Sequence, residues 1–168
     1  MTTTTLSIAV KPYTLKYLEA SLFLQENEIY KLSKLDAFGL FLNTLMRRPL
    51  DDIQYHNYLK RYTAIFQVSV KVDEIVIMGF KLTPQGMVDF NNFVEGIIRS
   101  EFHAYVDYAL EYGSSSRAKA FLKFREKYNM SEEDYPFETM KKSYDRYRER
   151  KLNKITEVQE ARPLKLVA

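Results

Sequence analysis

Hydrophobic and polar residues alternate in short β-like stretches at the start of the chain, and a helical pattern separates them. Leu6–Val10 is rich in β-forming residues and predicts a short strand. After it, apolar residues at three- and four-residue spacing predict a helix over Pro12–Leu24. Glu28–Leu32 fits a second short strand. The first thirty residues therefore predict a mixed α and β structure.

A second helix is predicted after the capping pattern Ser33-Lys-Leu-Asp36. The Ser oxygen can accept an unpaired backbone N–H, and the acid would lie near the positive helix end. We expect Leu35, Phe38, Phe41, Leu42 and Leu45 to share the buried face of this helix. Arg47–Pro49 would end it.

The clearest strand pattern covers Tyr62–Val72, where apolar residues occupy every second position. One face of this strand is apolar and the other is mixed, which is typical of a half-buried strand. Asp73–Phe80 is β-rich, but Gly79 could equally end a short helix, so both interpretations remain open.

A long helix is predicted in the middle of the chain. Thr83 and Pro84 form a helix start, with Thr as N-cap and Pro at the first helical position. Apolar residues then keep helical spacing to about Tyr112, which predicts a helix over 84–112. The Gly-Ser-Ser-Ser run at 113–116 marks a predicted boundary between an α+β domain (1–113) and a C-terminal unit (114–155), with a tail at 156–168.

The C-terminal unit has the pattern of three helical segments. Ser116 would cap a helix over Arg117–Tyr128, Asn129 suits a left-handed helix end, and Ser131–Asp134 would open a short turn before Pro136. A basic helix would follow over 137–151. The residues expected to face inward are Ala118, Phe121, Leu122, either Phe124 or Tyr128, and then Phe137, Met140, Tyr144 and Tyr147. The fold class predicted overall is α+β and mainly helical, with a small N-terminal sheet, a long central helix and this C-terminal three-helix unit.

Charge is distributed unevenly along the chain. The net charge is +3, but residues 117–154 contain 12 Lys/Arg and 7 Asp/Glu, a balance of +5, whereas the rest of the chain balances at −2. A basic segment of this kind favours a polyanionic partner. Because acids are interspersed with the bases, a solvated helix with i,i+4 pairs explains the pattern as well. Both interpretations remain open.

The segment Ser116–Lys151 resembles a helix-turn-helix unit, which implies that its third helix enters the DNA major groove. The resemblance places Lys141, Lys142, Ser143 and Arg146 near base edges. It places Arg148, Arg150 and Lys151 at phosphates, with Arg117, Lys119 and Lys123 at the flanking backbone. The acids Glu132–Asp134 and Glu138 depart from the pattern, because they would repel phosphate at the end of the helix that usually reads bases.

The layout as a whole resembles uncharacterised proteins of bacterial phages and mobile elements. The stretches that carry this resemblance are VKPYTLKYL, KLTPQGMVDFNNF and KFREKYNMSEEDYPFETMKKSYDRYR. No activity is attached to that group, so the resemblance implies a biological context rather than a chemistry.

No catalytic or cofactor-binding motif is present. His56 and His103 lack partners at metal-ligand spacing, the five glycines form no phosphate loop, and cysteine is absent. Asp51-Asp52 fits an acidic helix start better than a metal site. No signal peptide or membrane-spanning run is found, which favours the cytoplasm.

We therefore predict a non-enzymatic DNA-binding protein that uses no cofactor, metal or small-molecule substrate. Duplex DNA and a second copy of the chain are the expected partners, because a short sheet leaves edges to be paired. The alternative is a structural or assembly protein of a phage particle or another homo-oligomer, which would place it in the virion.

Overall fold

The computed structural model describes residues 2–22, 24–25, 29–47, 59–72, 81–113 and 116–160. The fold is α+β and mainly helical, as predicted. The strands are β1 (Thr3–Val10), β2 (Leu24–Gln25), β3 (Ile29–Lys31), β4 (Met46–Arg47), β5 (Ala64–Lys71) and β6 (Lys81–Leu82). The helices are α1 (Pro12–Ser21), α2 (Ala37–Leu45), α3 (Pro84–Glu111), α4 (Arg117–Lys127) and α5 (Phe137–Glu160).

The main sheet has the strand order β1-β5-β3-β2. β1 and β5 pair antiparallel from Thr3 opposite Lys71 to Val10 opposite Ala64, and β3 runs parallel to β5. β4 and β6 form a separate antiparallel pair. The buried residues of β5 are Phe66, Val68 and Val70, which confirms the period-two pattern. One face of the sheet therefore lies on the core.

The long helix α3 is the scaffold of the molecule. The side-chain oxygen of Thr83 accepts the Gly86 N–H at 3.1 Å, so the predicted N-cap is confirmed. Its most buried side chains recur every four residues at Phe90, Val94, Ile98, Phe102 and Val106. That stripe packs against the sheet, α1 and α2 at one end and against α4 and α5 at the other.

The Asn91 side chain makes three hydrogen bonds, two of which join α3 to the end of β1. Its side-chain amide nitrogen donates to the carbonyls of Ala9 (3.0 Å) and Met87 (2.8 Å), and its oxygen accepts the Lys11 N–H at 3.2 Å. The Asn91 side chain is fully buried, and these bonds satisfy its amide nitrogen and oxygen. These bonds fix the position of α3 relative to the end of β1.

The start of α2 differs from the prediction. The N-cap is Asp36, whose Oδ1 accepts the Gly39 N–H at 2.8 Å, whereas Ser33 accepts only from Leu35. Leu35 is 98% exposed, so its expected place on the buried face was wrong. The reason is that the helix begins at Ala37, and Leu35 lies before the first helical turn. Tyr30 holds the cap by donating to Asp36 Oδ2 at 2.6 Å.

The C-terminal helix is longer than predicted, because it continues to Glu160 with no breaker before Pro163. Buried residues before and after the Gly113–Ser116 stretch belong to one core cluster. The proposed boundary at that stretch stays a prediction. Asp51-Asp52, Asp73–Phe80, His56 and residues 161–168 lie outside the described residues.

Candidate nucleic-acid interface

The connection between α4 and α5 is built from local hydrogen bonds. The Ser116 side chain caps α4 by accepting the Lys119 N–H, and Asn129 adopts φ 49°, so both sequence predictions are confirmed. Between the helices, the Tyr135 N–H donates to the Ser131 carbonyl at 3.1 Å and closes a single turn. A turn therefore takes the place that a short helix would have in a helix-turn-helix unit.

The acids beside this turn have structural partners. Glu132 accepts the Phe137 N–H at 2.7 Å and pairs with Arg125, and these contacts lower the pKa of Glu132. Asp134 accepts from Lys16 Nζ at 2.7 Å, which ties the turn to α1. Burial alone would raise the pKa of Asp134, but the bonds from Lys16 and Ser131 outweigh it and lower the pKa. These carboxylates stay ionised at the N-terminal end of α5.

The inner faces of α4 and α5 meet over the aromatic end of α3. Met140 and Tyr144 are buried with Phe121 and Phe124 around Phe102, as predicted. The Ala118 and Leu122 predictions were wrong. Both side chains are exposed, Leu122 at 44%, because the packed face of α4 passes through Ala120, Phe121 and Phe124.

Asp107 on α3 is the polar anchor of α5. Its two oxygens accept from the Tyr144 hydroxyl, the Tyr147 hydroxyl and Lys151 Nζ, each at 2.7 Å. Burial would raise the pKa of Asp107, but these three bonds outweigh it and lower the pKa. Burial, together with the bond to Asp107 and its charge, raises the pKa of Tyr144 to about 12. Lys151, a predicted phosphate contact, is therefore already paired with a carboxylate.

His103 forms the second polar contact between α3 and α5. Its Nε2 lies 3.0 Å from the Ser143 Oγ, and its ring stacks on Tyr147 with 4.5 Å between ring centroids. Burial lowers the pKa of His103, and the nearby Arg99 and Arg150 lower it further. Ser143 was predicted near base edges, and the structure places it against α3.

The charges of α5 are divided between two flanks, since each residue of a helix is turned about 100° from the last. One flank has a cation every four residues, at Lys142, Arg146, Arg150 and Lys154, and all four are exposed. Across from this row lies Arg99 of α3, which is also exposed. We call these five residues the basic seam. Among the described residues, none of the five has an acidic side chain within ion-pair distance.

The opposite flank of α5 mixes both signs. Lys141 and Arg148 are exposed there, and each lies three residues after an acid, Glu138 and Asp145 respectively. Asp145 on the same flank pairs with Arg117 of α4, whose guanidinium lies 5.1 Å from the Tyr144 ring centroid. The predicted Arg117 is therefore occupied by structural contacts.

Two clefts run along the basic seam between α3 and α5. The first has a volume of about 320 Å³ and is lined by Arg99, Lys142, Ser143, Arg146 and Arg150, with Tyr13 and Tyr135 at one side. The second, of about 700 Å³, shares Arg99 and Arg150 and continues to His103, Tyr147 and Lys154. Glu95 lines the first cleft, but Lys11 Nζ neutralises it at 2.5 Å.

The structure thus brings together only part of the predicted interface. The predicted residues that line the two clefts are Lys142, Ser143, Arg146, Arg150 and Lys151. Lys119 and Lys123 are exposed on the outer side of α4. The sequence reasoning missed Arg99 and Lys154. The four-residue spacing from Lys142 points to Lys154, but no local pattern links Arg99 to a helix forty residues later.

Comparison with protein-family models, curated proteins and solved structures finds no match for this chain. None of the helices in the described ranges is long and apolar enough to cross a membrane. In the same ranges, no three His, Asp or Glu side chains are grouped so that they could hold a metal ion.

Proposed function

We propose that this protein binds duplex DNA without catalysing a reaction, and that the basic surface of α5 makes the contact. The observation that carries the proposal is the basic seam. Its cations are exposed and lack acidic partners among the described residues, while Asp145 on the other flank of α5 is paired with Arg117. A helix that was merely solvated would gain from mixing the two signs on each flank.

The seam also carries an energetic penalty in the free protein. Like charges four residues apart on a helix destabilise it by about 0.2–0.5 kcal/mol per pair. Lys142, Arg146, Arg150 and Lys154 make three such pairs in succession. An anionic ligand with regularly spaced charges removes this penalty, and a DNA backbone is such a ligand.

Affinity of this kind comes mostly from phosphates, so it should fall steeply with salt. Fluorescence anisotropy with a labelled duplex, titrated at 50 mM and 200 mM salt, tests the proposal. Binding at low salt that weakens by at least tenfold at 200 mM is expected. A protein that fails to bind duplex DNA at 50 mM salt does not have the proposed function.

Paired variants separate the α5 surface from charge in general. Arg146→Ala with Arg148→Ala should weaken binding at least tenfold without unfolding the chain. The matched control is Lys31→Ala with Lys60→Ala, which removes the same charge from exposed positions outside the C-terminal helices. Equal losses in the two double variants would assign the binding to net charge and contradict the role of α5.

The proposal places the protein in the cytoplasm, where DNA is accessible, and in a phage or mobile-element context. That context rests on the resemblance of the sequence stretches given above. Solution binding measurements do not depend on it.

A second candidate function is assembly with further copies of the chain. β1 is an eight-residue edge strand whose partner among the described residues is β5 on one side only. Tyr108, Tyr112, Leu152 and Ile155 are also exposed apolar side chains near the far ends of α3 and α5. Light scattering after size exclusion tests this: a dimer fits a DNA-binding protein, and a large closed ring supports the assembly role, with the virion as its location.

A further inference from the structure

The exposed face of α5 is poorly suited to insertion into the DNA major groove. In a helix-turn-helix complex the N-terminal residues of the recognition helix reach the base edges. Here Glu133 and Glu138 are exposed at that end of α5, and among the described residues neither has a cation within ion-pair distance. Their charge opposes insertion between two phosphate backbones. The cations that face no acid lie further along, in the seam.

The seam is concave and is shared by two helices. Arg99 and Arg150 both line the first and the second cleft, so the two clefts adjoin at these two residues. The row from Lys142 to Lys154 covers twelve residues, or about 18 Å of helix. A groove of this length, with a row of cations on the α5 wall and Arg99 on the α3 wall, fits a linear polyanion better than a single small ion.

We infer that the seam between α3 and α5 seats one sugar-phosphate strand of bound nucleic acid, and that Arg99 of α3 is a binding residue. This inference rests on the proposed DNA-binding function and specifies how it is performed. Guanidinium groups suit this task because their planar N–H donors match phosphate oxygens in pairs. Binding is then to the backbone and independent of base sequence.

His103 lies at the bottom of the seam, and its protonation can report whether nucleic acid is bound there. His103 and Tyr147 line the second cleft together with Lys151 and Lys154. The charged and titratable groups around His103 are Arg99 and Asp107 on α3, and Tyr144, Tyr147, Arg150, Lys151 and Lys154 on α5. A phosphate chain in the seam would offset the arginines and so favour the protonated imidazole.

The first test compares two double variants that each remove two positive charges. Arg99→Gln with Arg150→Gln removes one guanidinium group from each wall of the seam, and Lys141→Gln with Arg148→Gln removes two cations from the opposite flank of α5. Loss of two phosphate contacts makes the slope of log affinity against log salt shallower by about 1.8. The difference in affinity between the wild type and the seam variant should therefore shrink about tenfold between 50 mM and 200 mM salt. The opposite-flank variant should lose less and keep a slope closer to that of the wild type.

Two contrary outcomes are distinguishable. If the wild type fails to bind duplex DNA at low salt, the proposed function and this inference fall together. If the wild type binds but the opposite-flank variant loses as much as the seam variant, the function stands and the seam assignment is overturned. Circular dichroism of both variants must match the wild type, so that a loss of binding is not a loss of fold.

The second test observes the seam directly by NMR. The chain has two histidines, so imidazole signals are few, and His103→Gln assigns them. Adding an unlabelled duplex should raise the pH midpoint of the His103 signal by about one unit, whereas Arg99→Gln with Arg150→Gln should abolish the shift on adding DNA. Two duplexes of unrelated sequence should act alike. If DNA is shown to be bound and the pH midpoint of the His103 signal does not change, the inference is overturned.

Discussion

Asp107→Asn is expected to loosen α5 from α3 more than any other single charge removal between these helices. Asp107 offers two carboxylate oxygens, one to the Tyr144 hydroxyl and the other to Tyr147 and Lys151. An amide keeps only one acceptor oxygen and presents N–H donors where the other stood. One tyrosine hydroxyl therefore loses its acceptor, and the other loses the charge that strengthens its bond.

The magnitude follows from the exposure of the groups. Tyr144 is 2% exposed, so its hydroxyl has little access to water that could replace the lost acceptor. A hydrogen bond to a charged group contributes about 1.5–3 kcal/mol. We expect Asp107→Asn to lower the free energy of unfolding by about 2 kcal/mol on this basis. Lys151 adds little, since its side chain is 55% exposed.

Urea denaturation followed by far-UV circular dichroism measures this change. The midpoint should fall with an unchanged slope, and the melting temperature should fall by about 4–8 °C for a chain of this size. The control is Asp145→Asn, which breaks the pair with Arg117 at a site where Asp145 is 46% exposed. That pair should be worth less than about 1 kcal/mol. If the two variants are equally stable, Asp107 is not the anchor described here.

Three further changes test the fold and its pH dependence. Gly39→Ala should destabilise the protein by more than about 2 kcal/mol, because a Cβ there meets the backbone of the preceding loop. Gly96→Ala has open space around it and should stabilise α3 by about 0.5–1 kcal/mol. Chemical denaturation that ranks the two variants in the opposite order would contradict this packing. Asn129→Ala should cost about 1 kcal/mol and Asn129→Gly should be tolerated, because φ is 49° there, and equal melting temperatures for the two would refute the left-handed turn. The pKa of His103 is lowered in the folded protein, so the imidazole binds a proton more readily in the unfolded chain. Stability should therefore be full above pH 6.5, the ordinary pKa of His103, and should decline as the pH falls below that value. The pKa of Glu101 is also lowered, so its contribution to stability should be lost at still lower pH, below its ordinary pKa of 4.5. Melting temperatures that stay flat from pH 7 to 5.5 would contradict the assignment of the first decline to His103, and so would a His103→Gln variant that keeps this decline.

Elements whose signals are local were predictable from the sequence. Strand β5 was found because alternate residues such as Val68 and Val70 face one side, and α3 because its N-cap is encoded by Thr83 and Pro84. Asn129 was predicted at a helix end from its tolerance of the left-handed conformation. Each of these depends on residues within one or two helical turns of each other.

Predictions failed where a distant residue chose between local alternatives. Both Ser33 and Asp36 can cap a helix, and Asp36 is held in the capping position by Tyr30 on β3. Likewise, the buried face of α4 could not be told from its pattern alone, and Leu122 was placed on the wrong side. Packing against α3 settled that choice.

The amino-acid sequence alone determined the α+β class, the long central helix and the basic character of the C-terminal segment, since periodicity, capping and charge are properties of neighbouring residues. Tertiary structure decided which of those cations are available. It paired Lys151 with Asp107 and Arg117 with Asp145, turned Ser143 toward His103, and placed Arg99 opposite the row that starts at Lys142. The physical reason is that an ion pair or a cleft joins side chains on different helices, and the distance between such side chains is set only when those helices pack.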